Sequence, residues 1–223
     1  MHLGTSIALF VFFWRDWLSF LRALISAPDA RTKTDRRTFF YVILATIPAV
    51  IVGALFRKVL GDAFAAPAIA AVFLIVNGFI LYFGDRIGEE SVGSLGQLNW
   101  KGALAVGFAQ CLALIPGISR SGATIVAGVV AGLNHAEAAR FSFLMGAPII
   151  LAANVYEAPK LMKEGATLGP VALLSGLVAG VVAYLSLIFL MRYFNRHEFE
   201  AMSPFAYYCW AAGVISLGII AFV

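Results

Sequence analysis

The chain alternates long apolar runs with short polar ones. Apolar stretches of the length that crosses a bilayer, about 17 to 25 residues, lie at 39–55, 67–83, 141–155, 171–191 and 204–223. The third is the shortest and needs tilt or flanking residues to span. Each predicts a helix, because backbone facing lipid must satisfy its own hydrogen bonds. A sixth apolar run, 100–133, is broken near its middle by Pro116, Gly117, Ser119, Arg120, Ser121 and Gly122. That break predicts two half-helices meeting at a loop. They form either a re-entrant hairpin or a kinked span, and the proline and two glycines at the centre favour the hairpin.

The first segment is too short to cross. The stretch ahead of Arg15 reaches about 21 Å at roughly 1.5 Å per residue, against a hydrocarbon core of about 30 Å. With no basic residue ahead of it, the run does not read as a signal peptide. It reads as the end of a longer helix whose earlier part is missing. Residues 22–37 carry Arg22, Arg31, Lys33, Arg36 and Arg37 against Asp29 and Asp35, which predicts a cytoplasmic loop. Alternation then puts 57–66 outside and 84–99 inside, so the chain enters 100–133 from the cytoplasm.

Composition agrees with this pattern. Of the 223 residues 61% are apolar and 13% charged, and the mean hydropathy is +0.91. A soluble domain carries about 25% charged residues, so the apolar excess faces a bilayer. The same figures exclude a disordered chain, a collagen-like repeat and a disulfide scaffold. Cys111 and Cys209 both sit in apolar runs and read as core thiols. A net charge of +4 would suggest nucleic acid in a soluble protein, but here the basic residues collect between apolar runs, as membrane loops do. The fold class is therefore all-α: a polytopic integral membrane protein, with 1–223 as a single transmembrane domain containing a re-entrant helix pair.

The candidate chemistry lies in the break. Leu114 to Thr124 places one guanidinium, three hydroxyls and two glycines at membrane depth. An arginine at a helix centre costs about 2.5 to 3.5 kcal/mol on insertion scales, so a compensating partner is required, and an anion is the natural one. Pro116 ends the first half-helix, and Gly117 and Gly122 permit close backbone approach. A helix beginning near Gly122 turns its free N–H groups and positive end toward the loop. Arg120 offers a bidentate fork suited to phosphate oxygens, and Ser119, Ser121 and Thr124 add hydroxyls. Together they describe a buried phosphate pocket. The plainer alternative has Arg120 snorkelling to a headgroup or pairing with Glu137 while the serines cap the second half-helix. It accounts for the proline and glycines but not for an arginine between two serines.

Other polar residues carry less. Gln110 either lines the same cavity or is a satisfied interhelical amide. His135, Glu137 and Arg140 read as a connecting loop with a helix start, and Ser142, between Phe141 and Phe143, as helix packing. His2 and His197 have no metal-ligand partner at useful spacing. Tyr207, Tyr208 and Trp210 read as an interfacial belt.

The run Gln110-Cys111-Leu112-Ala113-Leu114-Ile115-Pro116-Gly117-Ile118-Ser119-Arg120-Ser121-Gly122-Ala123-Thr124-Ile125 resembles the motif of the bacterial undecaprenyl-diphosphate phosphatases, also called bacitracin-resistance proteins. So do Phe141-Ser142-Phe143-Leu144 with Pro148 beyond, and His2-Leu3-Gly4-Thr5. The match in order and spacing runs along the whole chain. The resemblance implies an inner-membrane enzyme built from two inverted repeats. It would remove one phosphate from undecaprenyl diphosphate, regenerating the wall-polymer carrier and consuming the lipid that bacitracin binds. By motif position Arg120 would bind the diphosphate and offset charge in the transition state, with Ser119 beside it as the second catalytic candidate. Gly117, Ser121, Gly122, Thr124 and Gln110 would form the substrate-binding set.

The chain departs from the family at its start, where members carry a paired-glutamate motif and a segment with serines and a histidine. The loop itself brings no carboxylate or histidine to activate a nucleophile. The family's acidic motif could hold Mg²⁺ or Ca²⁺, but no residues here form a cage, and no metal ligand is assigned. The expected partners are a polyprenyl diphosphate lipid and the bilayer, with no nucleic acid. A non-enzymatic polyprenyl-phosphate binder or translocator, or an inactive fragment, stands as the alternative function.

Overall fold

The computed structural model describes residues 2–27, 29–56, 66–87, 91–163, 169–197 and 200–222, with backbone alone for 157–163. Among these the chain forms α1 (His2–Phe12), α2 (Trp14–Ile25), α3 (Ala30–Leu55), α4 (Pro67–Ile87), α5 (Trp100–Leu112), α6 (Arg120–Val130), α7 (His135–Lys163), α8 (Pro170–Arg196) and α9 (Ser203–Phe222). Five of the described helices are long and apolar enough to cross a membrane: Ala30–Leu55, Pro67–Ile87, His135–Tyr156, Pro170–Arg196 and Ser203–Phe222. Each coincides with one of the five expected runs, the last as far as Phe222. The chain is a multi-pass, all-α membrane protein.

Polar ends continue the helices beyond their apolar runs. The basic stretch 22–37 is not a loop: Arg22 lies in the last turn of α2, and Arg31, Lys33, Arg36 and Arg37 ride on the first turns of α3. A reciprocal cap starts α3. The Thr32 amide donates to Asp29 Oδ1 at 2.6 Å, and the Asp29 amide donates to Thr32 Oγ1 at 2.8 Å, so the helix begins well ahead of the apolar run. Those bonds from Thr32 hold the Asp29 carboxyl below its ordinary value. The helix start expected near His135 is α7, which begins at that residue and carries Glu137 and Arg140 in its first turns. Residues 57–65 and 88–90, from the expected outer and inner loops, lie outside the described residues.

The helices gather in two compact units, Met1–Phe39 with Phe143–Arg192, and Phe40–Ser142 with Tyr193–Val223. In the first unit α1 passes into α2 at Phe13, and an aromatic chain runs Phe10, Trp17, Phe20, Phe39 at centroid spacings of 5.1, 5.8 and 6.0 Å. Gly4 of α1 lies directly on the Gly176 carbonyl and beside Gly180 of α8. This is the small-residue contact by which apolar helices pack without a hydrophobic drive in lipid. Arg36 donates through Nε and Nη2 to the Ala23 carbonyl at 3.2 and 2.7 Å, satisfying an end carbonyl of α2.

In the second unit α4 is the spine, carrying two seams one residue apart. Ala71, Ile75, Gly78 and Tyr82 face α9 in antiparallel order: Gly213 meets Ala71 and Ile75, and Gly78 meets Trp210 and Ala206. Tyr82 packs against Trp210, the ring centroids 5.4 Å apart and the planes tilted by 52°. Trp210 therefore belongs to the helix seam and not to the expected interfacial belt, while Tyr207 and Tyr208 are exposed. Ala70, Leu74, Asn77, Leu81 and Gly84 make the other seam. Along it run Gly117, Ser119, Gly122 and Val126, in the same direction as α4. Alternating steps of four and three keep each seam on one face.

Helices α5 and α6 form the re-entrant hairpin. They have 13 and 11 residues, and at about 1.5 Å per residue each falls well short of a hydrocarbon core of about 30 Å. The two open ends are tied together: the Gly93 amide donates to the Gly132 carbonyl at 3.0 Å, and the Asn134 amide to the Gly93 carbonyl at 2.9 Å. The chain thus leaves the hairpin where it entered.

Candidate active site

Single turns carry α5 from Leu112 through Pro116 to the tip, and α6 then starts at Arg120, two residues earlier than expected. Its cap is Ser119, whose Oγ accepts the Gly122 amide at 3.2 Å. Asn, Asp, Ser and Thr favour this position because a side-chain oxygen there satisfies an otherwise orphaned amide. With Ser119 as cap, Arg120, Ser121 and Gly122 form the first turn of α6. The arginine and both serines therefore stand at the positive end of the helix dipole, where an anion is stabilised.

Arg120 is half-buried. Its Nη1 donates to the Ser142 carbonyl at 3.4 Å, and among the described residues no carboxylate pairs with it. Glu137 is engaged elsewhere: its carboxylate accepts the Leu95 amide at 3.1 Å and meets Arg140 at 3.5 Å. The plain pairing of Arg120 with Glu137 is thus absent. One weak carbonyl contact leaves most of the guanidinium fork available at the helix end.

The hydroxyls divide by role. Ser119 Oγ and Ser121 Oγ lie 3.5 Å apart beside Arg120, and both side chains are partly exposed. As a cap, the Ser119 oxygen accepts from Gly122 while its own hydrogen stays free to donate. Thr124 is fully buried, and its Oγ1 donates back to the Arg120 and Ser121 carbonyls at 2.8 and 3.1 Å. It also lies 2.6 Å from Ser142 Oγ. Thr124 therefore holds the first turn from behind. Ser142 joins the cluster from the first turns of α7 through both its carbonyl and its hydroxyl. Flanked by two phenylalanines, it reads as packing from the sequence, and no local signal sets its hydroxyl apart.

Gly117 is placed elsewhere. It has φ +95°, and a Cβ there would overlap the Ala70 carbonyl and approach the Leu74 amide at 2.8 Å. Its role is to press the loop tip onto α4. It also lines an apolar recess of 420 Å³ with Pro67, Ala70, Leu74, Ser216 and Ile219. Gln110, near the end of α5, is 2% exposed, and neither Oε1 nor Nε2 has a partner among the described residues. It is not a satisfied interhelical amide. A buried carboxamide with both ends unpaired is a standing donor and acceptor for a ligand or a water.

A second polar cluster escaped the sequence reading. Asp85 near the end of α4 accepts at 2.6 Å from His135 Nε2 and at 2.9 Å from the Met202 amide, with both side chains buried. It joins α4 to the starts of α7 and α9 at the open end of the hairpin. His2 and His197 join neither cluster. His197 stacks on Tyr193 at 4.3 Å. Among the described residues no three His, Cys, Asp or Glu side chains gather as a metal cage.

A family model described as bacitracin resistance protein BacA matches residues 1–215. The chain is 44% identical to the undecaprenyl-diphosphatase of Acidiphilium cryptum, over all of this chain and 81% of that protein. It is 43% identical to the undecaprenyl-diphosphatase of Granulibacter bethesdensis, over 97% of this chain and 79% of the relative. The corresponding protein of Mycolicibacterium paratuberculosis is 39% identical, over 97% and 78%.

Proposed function

The chain belongs to the bacitracin resistance protein BacA family, and on that premise we propose that the first turn of α6 is the diphosphate-binding half of its active site. The protein is a membrane phosphatase that hydrolyses undecaprenyl diphosphate to undecaprenyl phosphate and inorganic phosphate. It removes the lipid that bacitracin binds. The observation that carries the site assignment is Arg120 at the N-terminus of a re-entrant half-helix, with no carboxylate among the described residues to neutralise it.

In the reaction an oxygen nucleophile bonds to the terminal phosphorus while the bond from that phosphorus to the bridging oxygen breaks. The electron pair stays on the lipid phosphate. Charge spreads over the equatorial and bridging oxygens, so preorganised donors that need no reorientation lower the barrier most. Arg120 supplies the fork, and the hydroxyls of Ser119 and Ser121 donate beside it. The dipole of α6 favours the anion as a whole. Thr124 and Ser142 keep the turn from relaxing, and Gln110 offers an unpaired carboxamide from α5. The apolar recess beyond Gly117 suits the polyprenyl chain of such a lipid. The donors at the tip are hydroxyls, amides and a guanidinium. With no carboxylate among them, these donors by themselves do not form a cage for Mg²⁺ or Ca²⁺. The bacterial inner membrane is the compartment this reading implies, with the basic first turns of α3 on the cytoplasmic face.

Phosphate release from undecaprenyl diphosphate in liposomes tests the assignment. Arg120→Ala should lower kcat by about 100-fold or more, the loss typical of removing a preorganised donor. Full activity in that variant would sink the site. Passage of labelled lipid across the liposome without phosphate release would replace hydrolysis by translocation.

A further inference from the structure

Asn77 lies at the centre of α4, fully buried in one of the most apolar helices of the chain. An uncompensated carboxamide at that depth is costly, so its bonds identify its use. There are two. Oδ1 accepts the Ser119 amide at 3.0 Å, and Nδ2 donates to Cys209 Sγ at 3.2 Å. The first reaches the cap residue of α6, directly beside Arg120.

The logic of helix capping explains that bond. In a complete capping box the cap side chain accepts the N3 amide, and a Glu or Gln at N3 accepts the amide of the cap residue in return. Here Ser119 performs the first half on Gly122, but Gly122 has no side chain to return the bond. A side chain would be crowded there: a Cβ at Gly122 would lie 2.8 Å from Leu81 Cδ2 and 3.1 Å from Ser119 Cβ, so Leu81 would have to move. Leu81 is one turn beyond Asn77 on the same seam of α4. The helix that crowds N3 also provides the missing acceptor.

We propose that Asn77 is a positioning residue for the reaction, completing the cap of α6 from α4 and so fixing the direction in which Ser119 and Arg120 present their donors. The inference rests on the reading of this turn as the diphosphate site. Two points tie the tip to α4, Gly117 on Ala70 and Leu74, and Ser119 on Asn77. Only the second is a directional bond. Without it the Ser119 amide is an unpaired donor beside the site, free to rotate the first turn or to draw a phosphate oxygen out of line.

The test is a kinetic cycle on the full chain in detergent, with kcat and KM expressed per monodisperse, folded molecule. Asn77→Ala and the near-isosteric Asn77→Leu should each lower kcat roughly 10- to 100-fold while KM moves by less than about threefold, because misorientation costs the transition state more than the ground state. In an Arg120→Lys background the same substitutions should cost less than about threefold, since the group they aim is already changed. Cys209→Ala, which keeps Asn77 but removes the partner that orients its carboxamide, should lower kcat by a smaller factor, and Cys209→Ser should restore it. Wild-type kcat in Asn77→Leu, equal activity of the two Cys209 variants, or an undiminished cost in the Arg120→Lys background would each overturn the inference. Arg120→Lys with full activity would instead overturn the site assignment beneath it, whatever Asn77 does.

Discussion

At Gly117 backbone and packing make the same demand. Its positive φ is strained for any L side chain, and a Cβ would enter the Ala70 carbonyl. Gly117→Ala should therefore destabilise the protein by about 1–3 kcal/mol or more, read as a fall in melting temperature in detergent. Ser142→Ala is milder: it leaves the Arg120 contact to the Ser142 carbonyl intact and removes one hydroxyl bond to Thr124, worth about 0.5–1.5 kcal/mol. Arg120, Ser119 and Ser121 were legible in the sequence because a guanidinium at membrane depth demands a partner. Asn77, Ser142 and Asp85 were not. Asn77 and Ser142 are single polar residues in apolar runs and Asp85 stands in an expected polar loop, and the meaning of each depends on a distant partner such as Ser119, 42 residues from Asn77. No local spacing reveals such a pairing.

Elements are held at their ends by groups the apolar pattern does not register. Asp85→Ala would leave His135 and the Met202 amide without their acceptor, at about 1–3 kcal/mol for each orphaned group. Thermal unfolding should show Asp85→Asn losing less, since it keeps one acceptor oxygen. At the start of α3 the Asp29 carboxyl is held below its ordinary value by Thr32. A depressed carboxyl contributes stability above its unfolded value and loses it as pH falls through its folded value. Exchange protection of the Thr32 amide should thus persist through the usual carboxylate range and fade only in stronger acid. The expected cytoplasmic loop became helix for this reason: an apolar run marks the hydrocarbon region, whereas a cap such as Asp29 with Thr32 marks where the helix begins.

For the molecule as a whole, length and apolarity sufficed to find five crossings, since backbone in lipid has few options. The seams of α4 could not be found that way, because small residues at steps of three and four are common in such helices and only packing selects among them. The hairpin makes the clearest prediction at this scale. With Cys111 and Cys209 replaced by serine, cysteines placed singly at Val92 and Ala136 should react with a membrane-impermeant maleimide from the same face, the cytoplasmic one. A kinked span would expose them on opposite faces.

The two bonds of Asn77 also set an order in time. Its partner in the turn lies 42 residues downstream, but its partner thiol lies 132 residues downstream. During synthesis the ribosome delivers α4 first, then the hairpin that lies along it, and α9 much later. The tip can dock on α4 while most of α7, α8 and α9 are still unmade, and the carboxamide gains its second anchor only when α9 arrives. The site is thus laid down early and tightened later, so a nascent chain holds a loosely capped turn until α9 closes the seam.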